Sequence, residues 1–387
     1  MISVENLYWV LYQNLLKPSG IDCWYHFPFG TLDNLSRSEF QHSGSRNKPH
    51  VLFYDQEPMW NHSLGLHYDS DQAAWSRNPI KILANSERSN LKLAICRDRT
   101  LLDWYYFFHG FAALDWFRDS RYINDTKDIE HVFLCLNHLV RHERSYRISL
   151  LARLVHQDIL HHGIVSFHGS TDDCKRELED PHTKIPKACQ SLIEHSLMHK
   201  HDLPLLVDQS SIDGSASAHF GHQEHSLWQQ SFLHIVNETV FYEPKLHLTE
   251  KIFKPIVSSR PFLLVAAPGN LQYLKNYGFQ TFDRWWDESY DRIQDPSARL
   301  DAISQQLTDV CRKPWTQLLE MFKDMRSVLE HNKKHFFGEF RKIIVEELVD
   351  NFEHCLNQWN NGRVNSRRIM ARADFESVKR ILLHQSR

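Results

Sequence analysis

The sequence contains no run of about eighteen apolar residues, so no segment reads as a membrane-crossing helix. Its first residues, Met1-Ile2-Ser3-Val4-Glu5, have neither the basic start nor the apolar block of a signal peptide. It also lacks G-x-x-x-x-G-K-[ST] and G-x-G-x-x-G, the glycine patterns that bring backbone N–H groups against phosphates. P-loop hydrolysis and Rossmann dehydrogenation therefore lack their fingerprints. No G-x-S-x-G occurs, so there is no nucleophile elbow. C-x-x-C and H-E-x-x-H are absent too. His138 with His142 and His195 with His199 are spaced i, i+4, with His201 nearby, but no further ligand pattern accompanies them. A surface or structural role is the expectation for these histidines, with no metal and no resident cofactor. The seven cysteines (Cys23, Cys96, Cys135, Cys174, Cys189, Cys311 and Cys355) are odd in number and scattered, which predicts reduced thiols in a cytosol-like compartment.

The composition that remains is that of a folded protein. A 42% hydrophobic and 24% charged content suits a globular chain, and 387 residues suggest two domains with a helical appendage. The formal net charge of −3 argues against a strongly basic nucleic-acid binder. The 26 histidines predict a swing to positive charge on mild acidification. The tail carries Arg363, Arg367, Arg368, Arg372, Lys379, Arg380 and Arg387 and is locally basic.

Along the chain, residues 5–16 read as an amphipathic helix, and Cys23 to Phe29 as an aromatic strand. Val51 to Tyr54 is a strand that delivers Asp55, Gln56, Glu57, Pro58 and Trp60 at its end. Ile82 to Ala84 delivers Asn85, Ser86, Glu87 and Arg88, and the aromatic run from Trp104 and Tyr105 leads to His109 and Asp115. Residues 1–126 form a first α/β domain in this reading. A second, 127–305, opens with the strand Val132 to Leu136 and the loop bearing Arg141, Arg144 and Arg147. Residues 170–190 and 202–226 are polar and read as surface loops, the second a lid candidate around Asp213-Gly214-Ser215. Residues 306–387 read as helical, with stripes at Leu318, Phe322, Met325, Leu329 and at Phe340, Ile344, Leu348, Phe352.

The most informative stretch runs from Phe232 to Phe282. Phe232 to Val236 is an apolar run with the length of a buried strand, ending in Asn237-Glu238-Thr239. After a short polar insert, Thr249 is an N-cap candidate with Glu250, Lys251 and Lys254 in the helix that follows. Phe262 to Val265 is a second buried strand; Gly269-Asn270 opens another helix and Gly278 is positioned to stop it. Strand, helix, strand, helix is an α/β unit with a mostly parallel sheet, and ligands of such sheets bind where strands end and helices begin. There a helix N-terminus with Lys251 and Lys254 suits an anion, and the Glu250 carboxylate suits a ribose diol.

Asn237-Glu238-Thr239 followed by Thr249-Glu250-Lys251-Ile252-Phe253 resembles the signature of the fucosyltransferase family, and more loosely other nucleotide-sugar glycosyltransferases of the GT-B type. That family has a Phe-Glu-Asn strand end followed by an Ile-Thr-Glu-Lys helix start; here the order at the strand end is Asn237-Glu238. The stretch also looks like uncharacterised glycosyltransferase-like proteins of tailed phages. The resemblance implies a GT-B-like architecture, two Rossmann-like α/β domains facing a cleft with closing helices, and transfer of a sugar from a nucleotide-sugar donor to an acceptor hydroxyl without a metal. It implies that Glu250 and Lys251 hold ribose and phosphate, and that an arginine after the first donor-domain strand contacts phosphate. Arg144 is the best match among Arg141, Arg144 and Arg147.

The acceptor proton needs a base from the first domain. Glu57 leads, because it follows a strand, Pro58 fixes its turn, and Trp60 supplies an apolar wall. His109 is second and Asp115 third. A retaining enzyme needs no such base, and Asn237 or Glu238 then faces the sugar. A hydroxymethylated pyrimidine in DNA is one acceptor, with Trp60, Trp104 and Tyr105 as the pocket for a flipped base. A surface glycan or lipid-linked sugar is another. The alternative of another class is a non-enzymatic sugar- or nucleic-acid-binding protein that keeps a degenerate donor site.

Overall fold

The apolar runs become strands of two parallel sheets. The computed structural model describes residues 4–25, 50–54, 58, 80–89, 102–122, 129–198, 203–207, 227–361 and 375–384. Glu57, Trp60, His199, His201, residues 202 and 208–226 of the lid candidate, the expected boundary at 126 and most of the basic tail lie outside these residues. The chain divides into unit 1, Met1–Asp115 with Gly338–Arg387, and unit 2, Trp116–Phe337.

Unit 1 begins with helix α1 (Val4–Leu11), which continues as a π-turn through Tyr12–Leu16. Strands β1 (Asp22–Tyr25), β2 (His50–Phe53), β3 (Ile80–Asn85) and β4 (Leu102–Tyr105) follow, and helix α2 (Phe108–Trp116) closes the segment. The strands pair in parallel in the order β1-β2-β3-β4, so spatial order repeats chain order.

Unit 2 contains β5 (His131–Asn137), α3 (Tyr146–His156), β6 (Gly163–Phe167), α4 (Thr171–Glu179) and α5 (Lys187–Leu197). It continues with β7 (Ser231–Asn237), α6 (Glu250–Val257), β8 (Phe262–Val265) and α7 (Asn270–Asn276). Helices α8 (Pro296–Cys311), α9 (Trp315–Asp324) and α10 (Arg326–Phe337) complete it. The sheet is again parallel, but its order is β8-β7-β5-β6. All seven residues of β7 and all four of β8 are buried, as expected for parallel strands covered on both faces. Ile252, Phe253, Ile256 and Val257 form the buried face of α6. The Phe253 ring lies 5.2 Å from Phe336 on α10.

One expected loop carries two helices. Residues 170–190 carry α4 and the start of α5, because Ser170 and Asp173 form a reciprocal capping box and Cys189, Ile193 and Leu197 give α5 a buried stripe. The expected polar insert at 239–247 is largely interior, with Val240, Phe241, Lys245 and His247 buried.

The last helices, α11 (Glu339–Asn361) and α12 (Phe375–His384), return to unit 1. Phe340, Ile344, Leu348 and Phe352 make the buried face of α11. This helix lies along β4. Asn351 Nδ2 donates to Tyr105 O at 2.8 Å, Cys355 Sγ to Asp103 O at 2.8 Å, and the Trp104 indole N–H to Leu348 O at 3.0 Å. Among the described residues no helix is long and apolar enough to cross a membrane.

Candidate functional site

The strand order of unit 2 contains a reversal. After β5 the chain builds β6 on one side, then returns to build β7 and β8 on the other. The connections leaving β5 and β7 therefore diverge, and the crevice beyond their ends is where open α/β sheets bind ligands. Asn137 ends β5 and Asn237 ends β7. Both are buried, and the Nδ2 of each donates to Cys135 Sγ at 3.3 Å. Among the described residues the Oδ1 atoms of both lack a hydrogen-bond partner. Burial pushes the Cys135 thiol up, against the two amides and Arg147, which pull it down.

Beyond β7, Glu238 is 0% exposed. Its Oε1 accepts the Thr249 N–H at 3.1 Å, and its Oε2 accepts the Thr249 hydroxyl proton. The carboxylate thus closes the connection from β7 to α6. Burial pushes its pKa up, and Lys251 and the Thr249 bonds oppose this. Thr249 caps α6 by accepting the Lys251 N–H, as its place in the sequence predicts. Lys251 Nζ donates to Thr249 Oγ1 at 3.1 Å and to Glu250 Oε1 at 2.9 Å. Glu238, Thr249, Glu250 and Lys251 are therefore one bonded cluster. Glu238 faces its interior, not a position from which a carboxylate meets a sugar. Lys254 diverges from the cluster: its Nζ lies 5.6 Å from the centroid of the Trp228 ring, and Trp228 precedes the opposite end of β7.

The three arginines after β5 separate by role. Arg147 is 4% exposed, and its guanidinium donates to Leu139 O at 2.7 Å and Asn237 O at 2.9 Å. It ties the β5 connection to the end of β7 and keeps its donors inside the fold. Tyr146, one residue earlier, does the same, its hydroxyl donating to Glu238 O. Its ring stacks on Phe241 at 4.4 Å. The Arg299 guanidinium lies 4.2 Å from the centroid of the Phe241 ring and donates to Phe241 O at 2.6 Å. Burial brings Arg299 down to about 10. Arg141 and Arg144 sit in the short turn before α3, Arg141 exposed and Arg144 partly so.

The helix starts around this sheet end are not equivalent. The first turn of α4 is closed by the Ser170–Asp173 box, and that of α7 by Asp291, which accepts the N–H groups of Leu271 and Gln272. The helices flanking the reversal differ. Ser145 precedes α3 without capping it, because its hydroxyl pairs with Tyr242 OH at 3.0 Å. At α6 the cap is the Thr249–Lys251 cluster itself. The connection leaving β5 thus carries Arg141 and Arg144, and the helix start after β7 carries Glu250 and Lys251. A carboxylate and fixed cations at helix starts are chemically suited to a diol joined to a phosphate.

In unit 1, His109 and Asp115 are both buried on α2. Six residues of helix put them roughly 9 Å apart along the axis and about 120° apart around it, so they do not converge on one proton. Trp104 is a core residue and not an acceptor wall: it is 0% exposed, 4.4 Å from Phe352 and 5.4 Å from Phe53. Tyr105 is buried beneath Arg88, whose guanidinium lies 4.0 Å from its ring centroid. Among the described residues no group of three His, Cys, Asp or Glu side chains is arranged to hold a metal. His142 takes a left-handed backbone, φ 53°, so the His138–His142 spacing does not lie on a helix.

The sequence reading passed over Asn137, Tyr146 and Glu177. Tyr146 and Asn137 lie in the runs it singled out, but only the strand order shows that they border β7. The chain matches no protein-family model, no curated protein and no solved structure.

Proposed function

We propose that the chain is a nucleotide-sugar glycosyltransferase of GT-B-like architecture, with unit 2 taking the donor and unit 1 the acceptor. One observation supports it above the others: the residues that resemble the family signature, Glu250 and Lys251, begin the helix after β7, and the turn carrying Arg141 and Arg144 follows β5, the two strands at which the strand order reverses. In this proposal Glu250 accepts the ribose hydroxyls, and Lys251 with Arg144 and Arg141 balances the diphosphate as it leaves. The acceptor oxygen bonds to the anomeric carbon, the bond from that carbon to the diphosphate breaks, and the acceptor proton passes to a base, for which Glu57 remains first choice. Burial of Trp104 and Tyr105 leaves Trp60 alone of the three aromatic residues on which a flipped-base pocket rested, which favours a glycan or lipid-linked sugar over DNA as acceptor. Acceptor binding that weakens steeply with salt would reverse that preference.

A thermal-shift panel with UDP, GDP, CMP, ADP and TDP, with and without Mg²⁺ or Mn²⁺, tests the donor site. The expected result is a rise with one nucleotide that metal does not change. Lys251→Ala then weakens that nucleotide by ~1.5–3 kcal/mol, the range for a hydrogen bond to a charged group. Equal affinity in wild type and Lys251→Ala removes the site assignment. A second reading, a binding protein without transfer activity, is favoured by one observation: the Glu238 carboxylate is fully engaged by Thr249. Nucleotide binding without turnover of any donor would select it.

A further inference from the structure

Glu177 belongs to α4, away from both strand ends, yet its carboxylate is buried at 3% exposure. Taking a carboxylate from water is costly unless hydrogen bonds offset it. Its Oε2 accepts the backbone N–H of His142 at 3.0 Å, while its Oε1 has no partner among the described residues. His142 holds φ 53°, a left-handed backbone that a residue other than glycine or asparagine adopts at a cost, and that persists where neighbours enforce it. The neighbour that bonds its N–H is Glu177.

The following residue is fixed from a second direction. Glu143 Oε2 pairs with Lys184 Nζ, and Lys184 also bonds Glu243 at 2.9 Å. Glu243 in turn holds the buried Lys245 at 3.3 Å. The turn from Arg141 to Arg144 is therefore gripped at its two middle residues, by an acid from α4 and by a base from the segment between α4 and α5. Its outer residues are the two arginines of the crevice.

We infer that Glu177 is a positioning residue: through the His142 N–H it fixes the left-handed turn that presents Arg141 and Arg144 to the phosphates of a nucleoside diphosphate. The inference rests on the donor-site proposal above. Without this bond His142 relaxes towards negative φ and the chain direction at both arginines changes. Ordering them then becomes part of the cost of binding.

Calorimetry with UDP, GDP, ADP and TDP, and competition with the matching nucleosides, tests it in the full chain. Glu177→Leu removes the acceptor and should weaken the diphosphate by about tenfold, the scale of one hydrogen bond to a charged group, while the nucleoside is unaffected. Glu177→Gln keeps an acceptor oxygen and should restore diphosphate affinity to within about twofold of wild type, inside the scatter of a neutral replacement. Lys184→Ala, at a partly exposed site, should cost about threefold by freeing Glu143, as partly exposed ion pairs do. The inference is overturned if Glu177→Leu leaves diphosphate affinity intact while Lys251→Ala lowers it, a result that keeps the donor site. It is also overturned if Glu177→Leu weakens diphosphate and nucleoside equally, or if Glu177→Gln is as damaging as Glu177→Leu. If wild type binds no diphosphate, the donor site and the inference fall together. If Glu177→Leu does not fold, Glu177→Gln and Lys184→Ala decide.

Discussion

Units 1 and 2 each hold a four-stranded parallel sheet in which asparagine ends a strand, β3 in unit 1 and β5 and β7 in unit 2, and the asparagines behave differently. In unit 1, Asn85 ends β3; its Nδ2 donates to Tyr54 O beyond β2, and its Oδ1 accepts the Glu87 N–H at 2.7 Å. It is a staple between neighbouring strand ends. In unit 2, Asn137 and Asn237 meet over the Cys135 thiol, and the Oδ1 of each lacks a partner among the described residues. The two sheets also differ in strand order: β1-β2-β3-β4 repeats chain order, whereas β8-β7-β5-β6 reverses between β5 and β7, where Asn137 and Asn237 end their strands. One residue type is thus a fastening between strand ends in one sheet and stands beside a strand-order reversal in the other.

If the units divide labour in this way, damage to the unit 1 core should lower stability and leave nucleotide affinity alone. Trp104→Ala is the most severe case. It removes the largest ring from a cluster with Phe53, Tyr106 and Phe352, together with the bond to Leu348 O. The expected loss is ~3–5 kcal/mol in urea unfolding, as for other large-to-small core changes. Hydrogen exchange should place the loosening in β4 and α11. Loss of nucleotide affinity at temperatures where the variant is still folded would contradict the division.

Unit 2 carries a pH dependence of its own. His234 lies inside β7, with its ring nitrogen 2.9 Å from Trp228 O. Burial brings its pKa from the ordinary 6.5 down to about 3, and nearby Arg260 and Lys254 add to the shift. In the unfolded chain the same histidine takes a proton below about 6.5. The unfolded state therefore binds more protons between these values, and stability falls as pH drops. The contribution is complete above pH 6.5 and is lost progressively towards pH 3. His234→Gln should be less stable than wild type at pH 8, and the gap should narrow by a few kcal/mol on acidification. A gap that is constant with pH would mean that His234 is not held neutral.

How much of this was readable in the chain depends on distance along it. Val51 to Tyr54, Val132 to Leu136, Phe232 to Val236 and Phe262 to Val265 announce buried strands because parallel strands are apolar on both faces. Thr249-Glu250-Lys251 announces a capped helix start because the cap is local. The stripe from Phe340 to Phe352 announces α11 for the same reason. Helix α4 was hidden by its polarity: among Thr171–Glu179 only Cys174 is an apolar buried residue, and the signal lay in Ser170 and Asp173 alone. That Arg147 reaches Asn237 O and Trp104 reaches Leu348 O was not readable, since these contacts span ninety and more positions and follow from strand order and from the return of the chain's last helices.

The smallest expected effect concerns how each sheet covers its edges. An open parallel edge presents unpaired backbone groups and invites association. Unit 2 covers β6 with a short backbone bridge, Phe167 to Leu205, and on β8 the Leu264 N–H donates to Tyr290 OH at 3.4 Å. Unit 1 covers β4 with side chains of a helix. Asn351 and Cys355 of α11 donate to Tyr105 O and Asp103 O, two carbonyls on one edge of the strand. Asn351 reaches Tyr105 O from that helix face, and Asn351→Ala should cost about 1 kcal/mol, the net worth of one partly buried hydrogen bond. Slow amides of β4 should exchange faster, and those of β6 and β8 should not change. Unchanged exchange in β4 would mean that packing of Phe352 against Trp104, and not the bonds from α11, protects the edge; the two units would then differ in strand order alone.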